Sequence, residues 1–207
     1  MNEFPFQIKV AGLPQPATLR FVGQNELQRY HRSLAPFAQE PSTIIREAVE
    51  LTRLAAKRWR YYSRLEEAAD SFAALQEKIR REVKCEAAFV MVATLRHRHR
   101  DSLLGLAYCR RTWCHHLALD FLAVHPRILT GRPRVSGVGS GIMFGLVRLA
   151  NALQIPRIWG EATVNSAAFY ENLLTTRPIQ DLFVIEAPAM AAIRQRQERI
   201  SRPALVG

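Results

Sequence analysis

The chain has 207 residues, 48% hydrophobic and 23% charged, a balance that fits one folded domain with a sizeable core. Lysine and arginine outnumber aspartate and glutamate 29 to 18, a formal charge of +11, so the surface is expected to attract phosphates, nucleotides, nucleic acid or acidic protein faces. Apolar runs stop short of the ~20 residues of a membrane helix, the start "MNEFPFQIKV" lacks a basic-then-apolar leader, and three cysteines in no paired spacing argue against a disulfide framework; a cytoplasmic protein without a membrane partner is expected.

Residues 6–23 read as two short strands around a Pro/Gly turn. "NELQRYHRSL" (25–34) fits a short helix capped by Asn25, and Pro36 and Pro41 bracket a loop. From an N-cap at Ser42, the residues Ile45, Val49, Thr52 and Ala56 share one face while Arg46, Arg53, Lys57 and Arg60 lie toward another, an amphipathic helix. A second helix is expected over 64–83, with Leu65, Ala68, Phe72, Leu75 and Ile79 on its apolar face. Residues 86–95, 102–113 and 115–124 read as three successive strands of an antiparallel meander. "RHRHRD" (96–101) is a polar turn between the first two, and its His97 and His99 read as solvated rather than metal- or phosphate-binding. "CRRTWCHH" (109–116) holds two cysteines and two histidines, but its Cys-x4-Cys gap has no distant pair to complete a zinc site, so no metal is expected.

After Pro126 comes a loop rich in Arg, Gly and Pro, then "RVSGVGSGIM" (134–143) leading into a helical pattern over 140–154. A strand is expected at 157–164, a short helix at 165–174 capped by Asn165 or Ser166, a last strand at 180–187 and a basic helix at 189–200. The alternation of strands and helices reads as a mixed α+β domain. We expect one domain over 1–207, with strands and basic helices in 1–84, a core in 85–187 and a terminal helix and tail in 188–207.

Strand, glycine-rich turn, helix is an anion-binding arrangement, because the first N–H groups of a helix lack internal partners and glycine lets a phosphate approach. Arg132 and Arg134 add positive charge beside Gly137, Gly139 and Gly141. A nucleoside-triphosphate P-loop is excluded, since Gly141-Ile142-Met143 stands where Gly-Lys-Ser/Thr is needed. A dinucleotide fingerprint fits poorly, with Ile142 where a third glycine belongs when counted from Gly137.

The segment Arg134-Val135-Ser136-Gly137-Val138-Gly139 resembles the Arg/Gln-x-x-Gly-x-Gly/Ala signature of the GNAT superfamily of acyl-CoA N-acyltransferases. "LALDFLAVHP" (117–126) is similar to that family's fourth strand, and "ATVNSAAFYENL" (162–173) to its fifth strand, splayed Asn and following helix; together the likeness covers 86–187. The chain departs from the pattern by about five extra residues ("ILTGR") before Arg134, an Asn165-to-Tyr170 spacing about two shorter than a common form, and Leu173-Leu174-Thr175 in place of Leu-Gly-Phe.

The resemblance implies a mostly antiparallel mixed sheet with helices on both faces and splayed central strands. It implies acetyl-CoA as acyl donor, with Arg134, Val135, Ser136, Gly137, Val138, Gly139 and Ser140 cradling the pyrophosphate. Leu122, Ala123 and Val124 would pair with the pantetheine arm, and Asn165 would touch it. Tyr170 matches the tyrosine that protonates the leaving thiolate. For the base that removes the amine's proton, Asp120 is expected first, as a residue four before Val124 on the same strand face, and Glu161 second. The acceptor would be a primary amine of unknown identity. A basic nucleic-acid-directed protein, with helices 43–83 and turn 96–100 on phosphates, and an inactive acyl-CoA binder are the alternatives; a homodimer is compatible with the sequence.

Overall fold

The computed structural model describes residues 2–97, 100–131, 134–176 and 178–201. His99 and Arg132, singled out above, and the tail past Ser201 lie outside these residues.

Chain order is β1 (Glu3–Val10), β2 (Leu13–Phe21), α1 (Gln24–Arg32), a 3-10 turn (Ala35–Phe37), α2 (Thr43–Arg64), α3 (Phe72–Arg81), β3 (Ala87–His97), β4 (Arg100–Arg111), β5 (Leu117–Val124), α4 (Pro126–Leu129), β6 (Val135–Ser136), α5 (Val138–Ala152), β7 (Ile158–Glu161), α6 (Ala167–Leu174), β8 (Leu182–Ile185) and α7 (Ala187–Ser201). The sheet runs β6-β1-β2-β3-β4-β5-β7-β8. Every neighbouring pair is antiparallel except β5 and β7. This is the expected mixed, mostly antiparallel sheet, with α2 on one face and α5 on the other. No helix among the described residues is long and apolar enough to cross a membrane.

Several expectations shift in detail. Asn25 is inside α1, whose N-cap is Gly23. Ser42 does stand at the N-cap of α2, although its side chain makes no cap hydrogen bond. Helix α2 continues unbroken through Tyr61 and Tyr62 to Arg64. The helix expected over 64–83 starts only at Phe72, where Ser71 caps it by accepting from the Ala74 N–H at 3.2 Å. Residues before it are drawn into a parallel bridge between Ala68 and Ala88, with Ala69 N–H donating to Ala88 O and Ala88 N–H to Glu67 O. An edge contact to a fixed strand outcompetes the helical periodicity there.

Glycines set how closely α5 lies on the sheet. A Cβ on Gly141 would sit 2.0 Å from Phe6 Cδ2 on β1, and one on Gly145 would sit 2.6 Å from Leu19 Cδ2 on β2. These two glycines serve close helix–sheet packing, whereas Gly137, at φ +86°, is needed for its left-handed conformation.

The segment with two cysteines and two histidines is structural. Arg111 is fully buried. Its guanidinium donates to Val83 O at 2.6 Å, to Cys85 O at 2.6 Å and to His115 Nδ1 at 2.8 Å, tying the connection into β3 against β4. Cys114 Sγ lies 3.1 Å from Thr112 Oγ1 and 3.4 Å from His116 Nδ1. No group of three or more metal-ligating side chains forms among the described residues.

Candidate functional site

Strands β5 and β7 pair only from Leu117–Ile158 to Leu119–Gly160. Beyond Leu119 the two diverge, so from Asp120 to Val124 strand β5 keeps β4 on one side and presents an unpaired edge on the other. Backbone N–H and C=O groups on such an edge can hydrogen-bond an extended ligand as an added strand would.

The N-terminus of α5 lies beside this edge. Gly137 is its N-cap and offers no side chain to the helix, so the N–H groups of Val138, Gly139 and Ser140 carry the positive end of the helix dipole without a cap. The preceding residues are fixed by a strand that the sequence did not reveal: β6 pairs Ser136 with Lys9 and Val135 with Val10, and Arg134 O accepts from Ala11 N–H at 2.8 Å.

A cleft of about 490 Å³ connects the two features. Its wall includes Leu122, Ala123 and Val124 from β5, Val135 through Ser140, and Asn165 and Tyr170. These are the residues assigned above to cofactor contact, with one exception: Arg134 is exposed and stands outside the lining. Ile128 and Leu129, the first two of the extra residues before Arg134, end α4 and also line it. Gly139 is closed over on one side by Phe169, whose ring carbons would be 3.1 Å from an added Cβ.

Tyr170 is 4% exposed and stacks on Phe183 with ring centroids 4.0 Å apart. Burial, followed by the neighbouring Cys109, raises its phenol above the ordinary value, so it stays protonated. Cys109 itself is fully buried, and burial pushes its thiol well up, with Asp120 adding to the shift.

The expected placement of Asp120 is overturned. A bulge in β5 makes Tyr108 pair with Phe121 but Cys109 with Leu119, leaving Asp120 as the extra residue. The side-chain alternation therefore slips between Asp120 and Val124, and the two lie on opposite faces of the sheet. On its own face Asp120 accepts from Arg110 Nε at 2.6 Å and Nη2 at 2.9 Å, with Arg58 Nη1 at 3.4 Å. Arg110 also donates to Glu86. Both oxygens of Asp120 are thus held by guanidinium, and the residue does not line the cleft. Glu161, at the end of β7, is exposed and also outside the lining.

Among the described lining residues the acidic one is Glu47, from α2, which accepts from the Asn165 side-chain amide across the opening. The sequence could signal it only as a polar position on a basic helix; the crossing of α2 over β5 brings it in.

Neither a protein-family model nor a curated protein sequence matches the chain. Solved structures do. RimJ from Mycobacterium smegmatis, in complex with CoA-disulfide, aligns over 95% of this chain and 94% of its own, with a TM-score of 0.52 and 13% identity. The fold is that of the GNAT acetyltransferases. A chimera built on the spermidine N-acetyltransferase SpeG from Vibrio cholerae aligns over 87% of this chain and 99% of its own, at a TM-score of 0.46 and 16% identity. Nourseothricin acetyltransferase aligns over 41% of this chain and 48% of its own, at a TM-score of 0.33 and 19% identity, so the chain spans about half the length of that protein. Within this GNAT fold, the splayed β5 edge, the uncapped start of α5 and Tyr170 meet in one cleft.

Proposed function

We propose that the protein transfers an acyl group, acetyl in the first instance, from a coenzyme A thioester to a primary amine. The observation that carries this reading is the joining, in one cleft, of an unpaired strand edge and an uncapped helix N-terminus. The first suits an amide-bearing arm and the second a pyrophosphate.

In this reading the N–H groups of Val138, Gly139 and Ser140 hold pyrophosphate oxygens, with Val135, Ser136 and Gly137 shaping the approach and Arg134 attracting the anion from outside. Leu122, Ala123 and Val124 pair with the pantetheine arm, and Asn165 turns from Glu47 to meet it. A β5 N–H polarises the thioester carbonyl and stabilises the oxyanion. The amine nitrogen attacks the carbonyl carbon; a C–N bond forms, the C–S bond breaks, and the electron pair leaves on sulfur. Tyr170 donates its proton to that thiolate. A free thiol of pKa about 8.5 is a weak base for a phenol of about 10. Burial holds the Tyr170 phenol higher still, so its proton passes only to a thiolate formed within hydrogen-bond reach of it.

A general base must take the amine proton, because free amines are mostly protonated near neutrality. Asp120 is committed to Arg110 and Arg58. We therefore assign the acceptor-facing carboxylate to Glu47, which lines the cleft, with Glu161 as the alternative from the β7 end.

Calorimetric titration with acetyl-CoA, paired with an assay of thiol release over a panel of primary amines, tests this. Micromolar binding and amine-dependent thiol release are expected. Absence of binding by the folded protein would remove the coenzyme A assignment; binding without release for any amine would leave an acyl-CoA binder.

A further inference from the structure

Helix α2 has a second working flank. Its cleft-lining residues are Ile44, Glu47, Ala48 and Leu51, whereas Arg53, Ala56, Lys57 and Arg60 line a separate groove against α1. At ~100° per residue the two sets lie on roughly opposite sides of the helix, with the sheet-facing stripe between them. The groove has a volume of about 480 Å³, and α1 contributes His31 and Arg32 to it. Among the described residues no carboxylate lines it. Arg53 has an exposed partner at the rim, Glu50 at 3.6 Å; Arg32 reaches the Gln28 carbonyl at 3.5 Å.

We propose that this groove binds the phosphodiester backbone of a nucleic acid. Along α2, Arg53, Lys57 and Arg60 rise ~6 Å and then ~4.5 Å, a row of cations suited to successive phosphates rather than to one. Arginine forks match phosphate oxygens in pairs. The alternative partner of a basic surface, an acidic protein, is held by apolar anchors at the centre of its interface. The groove offers none: Leu27 is 2% exposed beneath it, and Ala56 presents only a methyl. Its described lining also has no Phe, Tyr or Trp on which a base could stack, so recognition is of backbone and RNA and DNA bind alike. This gives four of the basic residues behind the charge of +11 a common place, and it is independent of the acyl-transfer cleft.

Fluorescence anisotropy with labelled 20-mers of oligo(rU) and oligo(dT), titrated at several salt concentrations, tests the proposal. The wild type is expected to bind both, with log K falling linearly against log salt. For single strands each neutralised phosphate contributes about 0.7 to the slope, so Arg53→Ser/Lys57→Ser/Arg60→Ser should flatten it by about 2. Arg81→Ser/Lys84→Ser/Arg194→Ser removes the same charge from other exposed positions and should leave the slope unchanged. If the groove variant loses its thermal unfolding transition, Lys57→Gln alone decides, with an expected slope change of about 0.7. No binding at low salt, or equal loss in both triple variants, would overturn the proposal. Competition by polyglutamate as effective as by unlabelled oligonucleotide would overturn it in favour of an acidic protein.

Discussion

The most informative single change is Ser140→Glu. Ser140 is the third residue of α5 and lines the cleft where we place the pyrophosphate. It is preferable to a change at Gly139, where any side chain would meet Phe169 at 3.1 Å and confuse packing with binding. A carboxylate in the first turn of a helix interacts favourably with the dipole, by ~0.3–1 kcal/mol, so the variant should be as stable as the parent or slightly more so. The same carboxylate repels a bound pyrophosphate. Charges of about −1 and −2 roughly 5 Å apart, in a half-wet site, repel by about 2–3 kcal/mol, which corresponds to ~30–160-fold weaker binding. Calorimetry with acetyl-CoA and thermal unfolding of the two proteins read both quantities. A stable variant with undiminished affinity would refute the assignment of the α5 terminus to the pyrophosphate.

Tyr170→Phe keeps the stacked ring on Phe183 and removes only the hydroxyl; turnover should fall by ~10²-fold or more with acetyl-CoA affinity unchanged, and an unaltered kcat would dismiss Tyr170 as the proton donor. His125 is buried, its Nδ1 accepting from the Arg127 N–H at 3.2 Å and its Nε2 lying 3.1 Å from Ser33 Oγ. Burial, then Arg127, lowers its pKa from 6.5 to about 4. The unfolded chain therefore takes up this proton first, and stability present above pH 6.5 is lost as pH falls toward 4. The loss is about 2–3 kcal/mol after allowing for partial hydration, and His125→Asn, which keeps a cap acceptor, should flatten that part of a pH–Tm profile; an unchanged slope would contradict it. Gly141→Ala gains helix propensity of ~1 kcal/mol but forces a methyl into the Phe6 ring, and should destabilise by ~1–3 kcal/mol. Gly145→Ala meets a flexible leucine and should cost less; the reverse order in chemical denaturation would contradict the packing described.

Much of this architecture was legible because local patterns and tertiary demands agree. The meander of β3, β4 and β5, the amphipathic α2 and the glycine-led α5 all follow from periodicity and turn chemistry. The rest depended on interactions between distant segments. Strand β6 is two residues long and exists only because β1 offers it an edge. The bulge at Asp120 has no mark in "LALDFLAV", yet it turns Leu122 and Val124 to faces opposite those that strict alternation gives them, and leaves the carboxylate on the far side from Val124, with Arg110. Glu47 reaches the cleft from about 120 residues away because α2 crosses β5, bringing it against Asn165. Gly141, which the sequence places in the anion-binding turn, instead makes room for Phe6, as Gly145 further along the helix does for Leu19.

The most direct test of the central claim is a crystal structure with coenzyme A bound. Pyrophosphate oxygens are expected within ~3 Å of the Val138, Gly139 and Ser140 N–H groups, with pantetheine amides paired to the open edge of β5. Coenzyme A lying elsewhere, for example in the basic groove between α1 and α2 with the cleft empty, would contradict it.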